Sequence, residues 1–437
     1  MLLPFLHLLV NPLTFLLIIS VPLYHEFDSP PDGNGTIDSI AIWVAPNPRE
    51  SLVFLTDKTR DCVEVHSPVS KFFLRRIGSS GSGNGELSYP NGITVGYNIP
   101  FGSRRGDVLF VVERDNHRLS MFSLPEGEFV GHFGANDLEE PYGIALYWKG
   151  EQLQAWVTET GSSPDGVMVY DISTSGQNLT GRLNFSFSAA GSLESLVIDP
   201  VTRRALVCDE GDGHDIMVYD LRGNLLQRFG KDRFVNEPEG IVIYELGDGK
   251  GYIIVADQNA SPTEFEVFDR VTYESLGQFT GETDGTDGIA LTQAALPNLP
   301  QGSFYAINSD KTGHVYDWAE IAKAMDLQTN VTSPRTSVHD QPQANPKSFN
   351  LLIHPNPFKD SVRVRYRIDR SDSVRLQIFD VTGKLVRELF NGMRPPGEYE
   401  AIWEGRDEGG NRLATGSFFV RLNVGGQIES RRIVLKN

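Results

Sequence analysis

The sequence predicts an all-β protein: a six-bladed β-propeller followed by a small C-terminal β-sandwich. Three observations predict it. A two-part apolar pattern recurs six times between Ser39 and Trp318, strict alternation returns after a polar linker, and 43 glycines and 25 prolines fit a turn-dense chain.

The first part of each repeat is a short apolar strand entered by a small residue. The six are Ser39-Ile-Ala-Ile-Trp43, Gly92-Ile-Thr-Val-Gly96, Gly143-Ile-Ala-Leu-Tyr147, Ser195-Leu-Val-Ile-Asp199, Gly240-Ile-Val-Ile-Tyr244 and Gly288-Ile-Ala-Leu-Thr292. A second apolar run follows each and ends in polar residues: Val53 to Asp57, Leu109 to Glu113, Ala155 to Glu159, Ala205 to Asp209, Ile253 to Asp257 and Phe304 to Asn308. A spacing of about 50 residues between β-rich units is that of propeller blades.

Equivalent points of the blades fall on rings at one end of the channel. Asp38, Asn91, Tyr142, Glu194, Glu239 and Asp287 precede the first strands; Asp57, Glu113, Glu159, Asp209, Asp257 and Asn308 close the second. So many carboxylates at short range stay ionised together only with cations among them. Oxygen ligands without interspersed His or Cys favour calcium over zinc or copper. The competing reading is that strand ends carry Asp and Glu because turns favour them.

Net charge is −18. The segment from Phe349 onward is net basic, which makes the rest more acidic still. Such a body repels nucleic acid and attracts cations or cation-bridged anions. Met1 to Leu23 is apolar, and residues 1–25 read as a signal peptide or N-terminal anchor. Cys62 and Cys208 fall in different blades, which argues against a bridge. No C-x-x-C, H-E-x-x-H or P-loop ending is present, which excludes the usual zinc and nucleotide motifs. Gly78 to Gly85 reads as a turn between blades.

The expected boundaries are 30–325 for the propeller, 326–350 for the linker and 351–437 for the sandwich, with alternation clearest in Ser361 to Ile368 and Ser373 to Phe379. The tail carries His354-Pro-Asn-Pro-Phe358, Phe379-Asp-Val-Thr-Gly-Lys384, Gly397 to Trp403, Leu413 to Phe419 and Arg432-Ile-Val-Leu-Lys436. In these it resembles the C-terminal sorting domain of type IX secretion, related to the immunoglobulin-like module of flagellar hook-capping proteins. The resemblance implies an immunoglobulin-like sandwich that partners the outer-membrane secretion machinery, and a secreted or cell-surface protein.

The propeller resembles the β-propeller phytases through Glu237-Pro-Glu-Gly-Ile-Val-Ile-Tyr244, Gly247 to Ile254, Glu282-Thr-Asp-Gly-Thr-Asp-Gly-Ile289 and Val315 to Ala322. That likeness implies a calcium-dependent phosphomonoester hydrolase, acting as a monomer on calcium-complexed inositol hexakisphosphate. It places calcium at Asp38, Glu194, Glu210, Glu237, Glu239, Gln258 and Asp287, phosphate contacts at Lys58, Arg114 and Tyr142, and a catalytic part for Glu194. A basic residue after Asp57 and another after Glu113 suit an anion bound beside metal.

Four positions depart from the phytase pattern: Ser39 and Glu237, where aspartate is usual, and Thr160 and Gly161, where a Lys-Glu pair is expected. A second resemblance, to NHL-repeat propellers, rests on Gly83 to Ile93 and Glu113 to Arg118 and covers about one blade and a half. It implies the alternative function, a non-catalytic, calcium-stabilised surface-binding module.

Overall fold

The second strand of each repeat is buried on both faces because every blade packs between two others, which dictates its near-continuous apolar composition. Leu52–Asp57 is buried at every position. The computed structural model describes residues 19–33, 35–102, 104–161, 165–189, 191–211, 213–258, 261–330, 349–368, 371–380, 384–424 and 427–436. The chain forms two compact units, Met1–Pro342 and Gln343–Asn437.

In the first unit six antiparallel sheets follow in chain order. Their inner strands are Ile37–Trp43, Pro90–Phe101, Pro141–Lys149, Leu193–Asp199, Pro238–Gly247 and Ile289–Thr292. Each inner strand packs on the next, and the sixth returns to the first. This closed ring is a six-bladed β-propeller. Side chains interlock between adjacent sheets, as Phe110 and Val112 of blade two do with Ile144 and Leu146 of blade three.

The sixth blade supplies only three strands of its own. His25–Glu26 completes it, antiparallel to Thr312–Asp317 with His25 opposite Val315. Ile19–Ser20 runs parallel beside Ser275–Thr280 on blade five. The expected leader at 1–25 and propeller start at 30 are corrected accordingly, because residues 19–27 are part of the propeller. Val21 N–H donates to Thr280 O at 2.8 Å and Phe27 N–H to Gly313 O at 3.0 Å. A three-stranded last blade requires an edge strand from outside the repeat, and this segment provides it. The remainder of the expected leader, residues 1–18, lies outside the described residues.

Blade six leads into a short helix, Trp318–Ala324, whose N-cap Asp317 accepts from Ala319 N–H at 2.9 Å. Trp318 stacks on Tyr244 with ring centroids 4.2 Å apart. The first residues of the expected linker are also tied down: Asn330 N–H donates to the Tyr244 hydroxyl at 2.6 Å and Gln328 N–H to that of Tyr252 at 2.9 Å. Residues 331–348 lie outside the described residues. No helix among the described residues is long and apolar enough to cross a membrane.

In the second unit Phe349–His354, Val362–Ile368 and Gly397–Trp403 form one sheet. Leu385–Arg394, Asp372–Asp380, Gly416–Val424 and Gln427–Leu435 form the other, in that spatial order. Val362, Val364, Tyr366 and Ile368 face inward while Arg363, Arg365 and Arg367 face out, a period of two. The inner faces meet around Phe358, Trp403 and Val420, giving an immunoglobulin-like sandwich. Residues 381–383, within the Phe379-to-Lys384 stretch, lie outside the described residues.

Candidate active site

At one end of the channel five inner strands break their ladder at the same place. The register shifts between Ile37 and Ile40, Pro90 and Ile93, Pro141 and Ile144, Leu193 and Leu196, and Pro238 and Ile241. Each bulge re-aims a ring residue and the small residue after it. A Cβ on Gly92 would lie 2.3 Å from Tyr142 O, and one on Gly143 would lie 2.5 Å from Glu194 O. Neighbouring backbones therefore touch here, which explains the recurrent small residue. Asp38, Tyr142, Glu194, Glu239 and Asp287 line the mouth of the channel.

A second position repeats with the blades. In blades one to five the residue after the second strand donates its backbone N–H to the carbonyl two residues before the ring residue, whereas in blade six Ser309 donates to Asp284, three before Asp287. Lys58 donates to Thr36 at 2.8 Å, Arg114 to Tyr89 at 3.1 Å, Thr160 to Glu140 at 3.1 Å, Glu210 to Ser192 at 2.9 Å and Gln258 to Glu237 at 3.0 Å. The sequence-predicted residues thus occupy equivalent places of one repeat, and side-chain identity alone differentiates the blades. Blades one and two present cations; blades four and five present Glu210, Gln258, Glu237 and Glu239. Tyr89 and Glu140 share the register of Glu237, a signal that sequence reasoning missed.

The second expected ring has a different task. Asp57 accepts from Gly35 N–H at 3.1 Å and Arg60 N–H at 3.0 Å, and Glu159 from Glu139, Glu140 and Gly161 N–H at 2.9, 2.7 and 2.9 Å. Asp209 accepts from Ser192 N–H at 3.2 Å, Asp257 from Val235 N–H at 2.6 Å, and Asn308 from Asp284 N–H at 3.0 Å. Glu113 accepts from Ser88 N–H at 3.2 Å and pairs with Arg118 at 2.8 Å. These side chains pin the loop entering their own blade's inner strand, so their charges are compensated without metal. The expectation that cations hold both rings is corrected for the second ring, whose carboxylates are met by backbone N–H groups and Arg118.

Within the first ring, charge separates by side. Lys58 forms an ion pair with the fully buried Asp38, and the two are bridged by Tyr142, whose hydroxyl lies 3.2 Å from Lys58 Nζ and 3.4 Å from Asp38 Oδ1. Ser39 Oγ donates to Asp38 Oδ2 at 3.0 Å. Burial opposes the Lys58 charge, but Asp38 and Asp287 outweigh it and leave its pKa raised. Arg114 lies with its guanidinium 3.5 Å from the centre of the Tyr89 ring and bonds Asp115 at 2.8 Å. Burial, then Asp38 and Glu194, raise the Tyr142 hydroxyl far above its ordinary range, so it stays a donor.

On the opposite side Glu210, Glu237 and Glu239 each offer a carboxylate oxygen within 4.8 Å of the others. Glu194 hydrogen-bonds Glu210. Burial, then Glu210 and Asp38, push Glu194 well up; burial, then Asp287 and Glu194, push Glu239 up. Glu210 rises to about 7 through burial with the Glu237 charge adding, and Asp287 to about 7 through burial and Asp38. Gln258 Nε2 donates to Asp287 Oδ1 at 2.6 Å and so joins the two sides. Clustered oxygens with no lysine or arginine ion pair among the described residues fit a hard cation of calcium type, for which they are donors of the right chemistry.

The chain is 23% identical to the 3-phytase of Bacillus subtilis (strain 168) over 333 residues, 69% of this chain and 85% of that protein. The FlgD Ig-like domain family matches residues 359–426. Among solved structures, PorZ, a bacterial surface component of the type-IX secretion system of Porphyromonas gingivalis, gives a TM-score of 0.36 at 13% identity. It covers 91% of this chain, which spans 51% of PorZ. Kuenenia stuttgartiensis hydrazine synthase gives 0.43 at 14% identity over 63% of this chain and 82% of that one.

The departures from the phytase pattern have local reasons. Thr160 is half-buried and bonds the Glu140 carbonyl through Oγ1 at 3.2 Å. A Cβ on Gly161 would lie 2.9 Å from both Glu139 Cβ and Glu140 N, so the loop excludes a larger residue there without moving. Blade three therefore contributes no cation to the mouth.

Proposed function

We propose that the propeller is a calcium-dependent phosphomonoester hydrolase that acts on inositol hexakisphosphate as a calcium complex, and that it works as a monomer. The observation that carries this reading is the polarity of one mouth: Lys58 and Arg114 on blades one and two, opposite the carboxylates of Glu210, Glu237 and Glu239, which form no ion pair with lysine or arginine among the described residues. The 23% identity to a phytase supports the same chemistry.

Glu194, Glu210, Glu237 and Glu239 would hold calcium on one side, and Asp38, Asp287 and Gln258 on the other. Bound there, calcium would neutralise substrate phosphates and lower the pKa of a coordinated water. Lys58 and Arg114 grip phosphate oxygens by charge-assisted hydrogen bonds. Tyr142 donates its hydroxyl proton to Asp38 Oδ1 and accepts from Lys58 Nζ, and so fixes the ammonium at the mouth. Burial, then Glu210 and Asp38, raise Glu194, which would release a proton to solvent on joining the calcium ligands. Phosphate release from inositol hexakisphosphate, in calcium and in chelator, tests the reading; no release in calcium would leave the non-catalytic, calcium-stabilised binding propeller, which the missing blade-three cation favours.

The C-terminal unit we read as a type IX secretion sorting domain that hands the chain to the outer-membrane machinery, for secretion or display at the cell surface. Its support is the FlgD Ig-like match with the closing strand Gln427–Leu435. Truncation before Gln343 should retain the protein inside a type IX–competent cell, and unchanged export would refute this role.

A further inference from the structure

Blade two departs from its siblings at one residue. Of Thr36, Tyr89, Glu140, Ser192, Glu237 and Gly285, which stand two residues before the ring position, only Tyr89 and Gly285 have positive φ. Gly285 adopts it without a Cβ penalty; Tyr89, at φ 49°, does not. The conformation is held from both sides, since Tyr89 N–H donates to Asp61 Oδ1 at 2.8 Å and Tyr89 O accepts from Arg114 N–H at 3.1 Å. Strain kept in place by such contacts points to a use for the side chain it redirects. The redirected ring lies against Arg114, 3.5 Å from guanidinium to centroid, and Lys58 Nζ is 5.6 Å from the same centroid.

We propose that Tyr89 is a positioning residue of the phosphate clamp: its ring face holds the Arg114 guanidinium, beside Lys58, in the orientation that receives a phosphate group. The proposal rests on the phosphate reading of this mouth. Arg114 is about one third exposed and its side-chain ion pair is with exposed Asp115. Without the ring it is a long, flexible cation that must be ordered at the moment of binding. A stacked guanidinium has its face already fixed, and its terminal N–H groups, beyond the Nε–H that donates to Asp115, can make a planar contact with phosphate oxygens. Preorganisation of that kind appears as affinity, because the ordering cost is met before the ligand arrives.

The test is a double-mutant cycle in the full-length chain with Tyr89→Leu and Arg114→Ala, together with Tyr89→Phe. Calcium-dependent binding of inositol hexakisphosphate by calorimetry and phosphate release are both measured, with Tm as a check on folding. Tyr89→Leu should raise Kd and KM about tenfold, Tyr89→Phe should stay within about threefold because the ring face remains, and Tyr89→Leu should add no further loss in the Arg114→Ala background. A merely structural tyrosine would not give that coupling. Additive effects, or wild-type affinity in Tyr89→Leu, would overturn the role of Tyr89 and leave the phosphate reading intact. Binding without phosphate release in the wild type would overturn the hydrolase reading alone, the cycle in Kd still deciding for Tyr89. A wild type that neither binds nor hydrolyses would overturn both.

Discussion

The Tyr142 hydroxyl on blade three lies 3.4 Å from Asp38 Oδ1 on blade one, so the two blades meet over the ring position of blade two, where the buried Asn91 stands. Lys58 closes the contact by bonding both partners. One cation thereby serves a structural and a binding purpose, and the consequences differ for the two basic residues of the mouth.

Lys58→Ala strands a fully buried Asp38 without its ammonium partner, a loss of about 3–5 kcal/mol for an uncompensated buried charge. Arg114→Ala removes a partly exposed pair and should cost less than about 1 kcal/mol. Both should lower turnover at least about tenfold, or about 1.4 kcal/mol of barrier. Chemical denaturation beside kinetics checks this; equal stability loss in the two variants would contradict the buried-pair account.

Acidity of the mouth predicts a pH dependence in chelator. Glu210 and Asp287 rise to about 7 in the folded state, so folding favours their protonated forms. Their contribution to stability is complete below their unfolded values near about 4 and is lost as the pH rises through about 7. Between about pH 6.5 and 8.5, where burial keeps His25 and His314, lowered to about 4, neutral, Tm should therefore fall. Excess calcium should abolish the fall by binding the ionised carboxylates. A flat profile in chelator would count against the crowded acids.

Glu159→Ala tests the second ring. Three backbone N–H groups lose a charged acceptor, worth about 1.5–3 kcal/mol in a charge-assisted bond, while calcium affinity should stay at the wild-type value. Urea midpoints and calcium titration report the two effects separately. Loss of calcium binding in this variant would return the second ring to a metal role.

Thr160→Lys restores a cation on blade three. Thr160 is half-buried and its Oγ1 bonds the Glu140 carbonyl, so stability should fall by no more than about 1.5 kcal/mol, the worth of one lost hydrogen bond. KM for calcium–inositol hexakisphosphate should fall several-fold, since the new ammonium stands at the position that Lys58 and Arg114 occupy in their blades. An unchanged KM would show that blade three does not face the bound phosphates.

Much of the fold was legible because a blade repeats its own chemistry. The ring residue, the small residue after it and the basic or acidic residue after the second strand recur at fixed places, and the bulges and close backbone contacts at Gly92 and Gly143 explain why. What was not legible lacks periodicity or depends on backbone shape. His25–Glu26 and Ile19–Ser20 are two-residue strands, and Trp318–Ala324 is two turns of helix, each too short to show a pattern. Glu159 reads the same in sequence whether it meets a cation or three amides. The φ of Tyr89 leaves no trace in composition at all.

The central claim is that Glu194, Glu210, Glu237 and Glu239 form a cation site, and calorimetric unfolding in calcium and in chelator tests it most directly. Wild-type Tm should rise with calcium, as required of a ligand that binds only the folded state, and the response should be largely lost in the Glu210→Gln/Glu239→Gln double variant, which should itself be more stable than the wild type in chelator because glutamine need neither take up a proton nor bear a charge in the buried, crowded mouth. Identical melting of the wild type in excess chelator and in excess calcium would contradict the account.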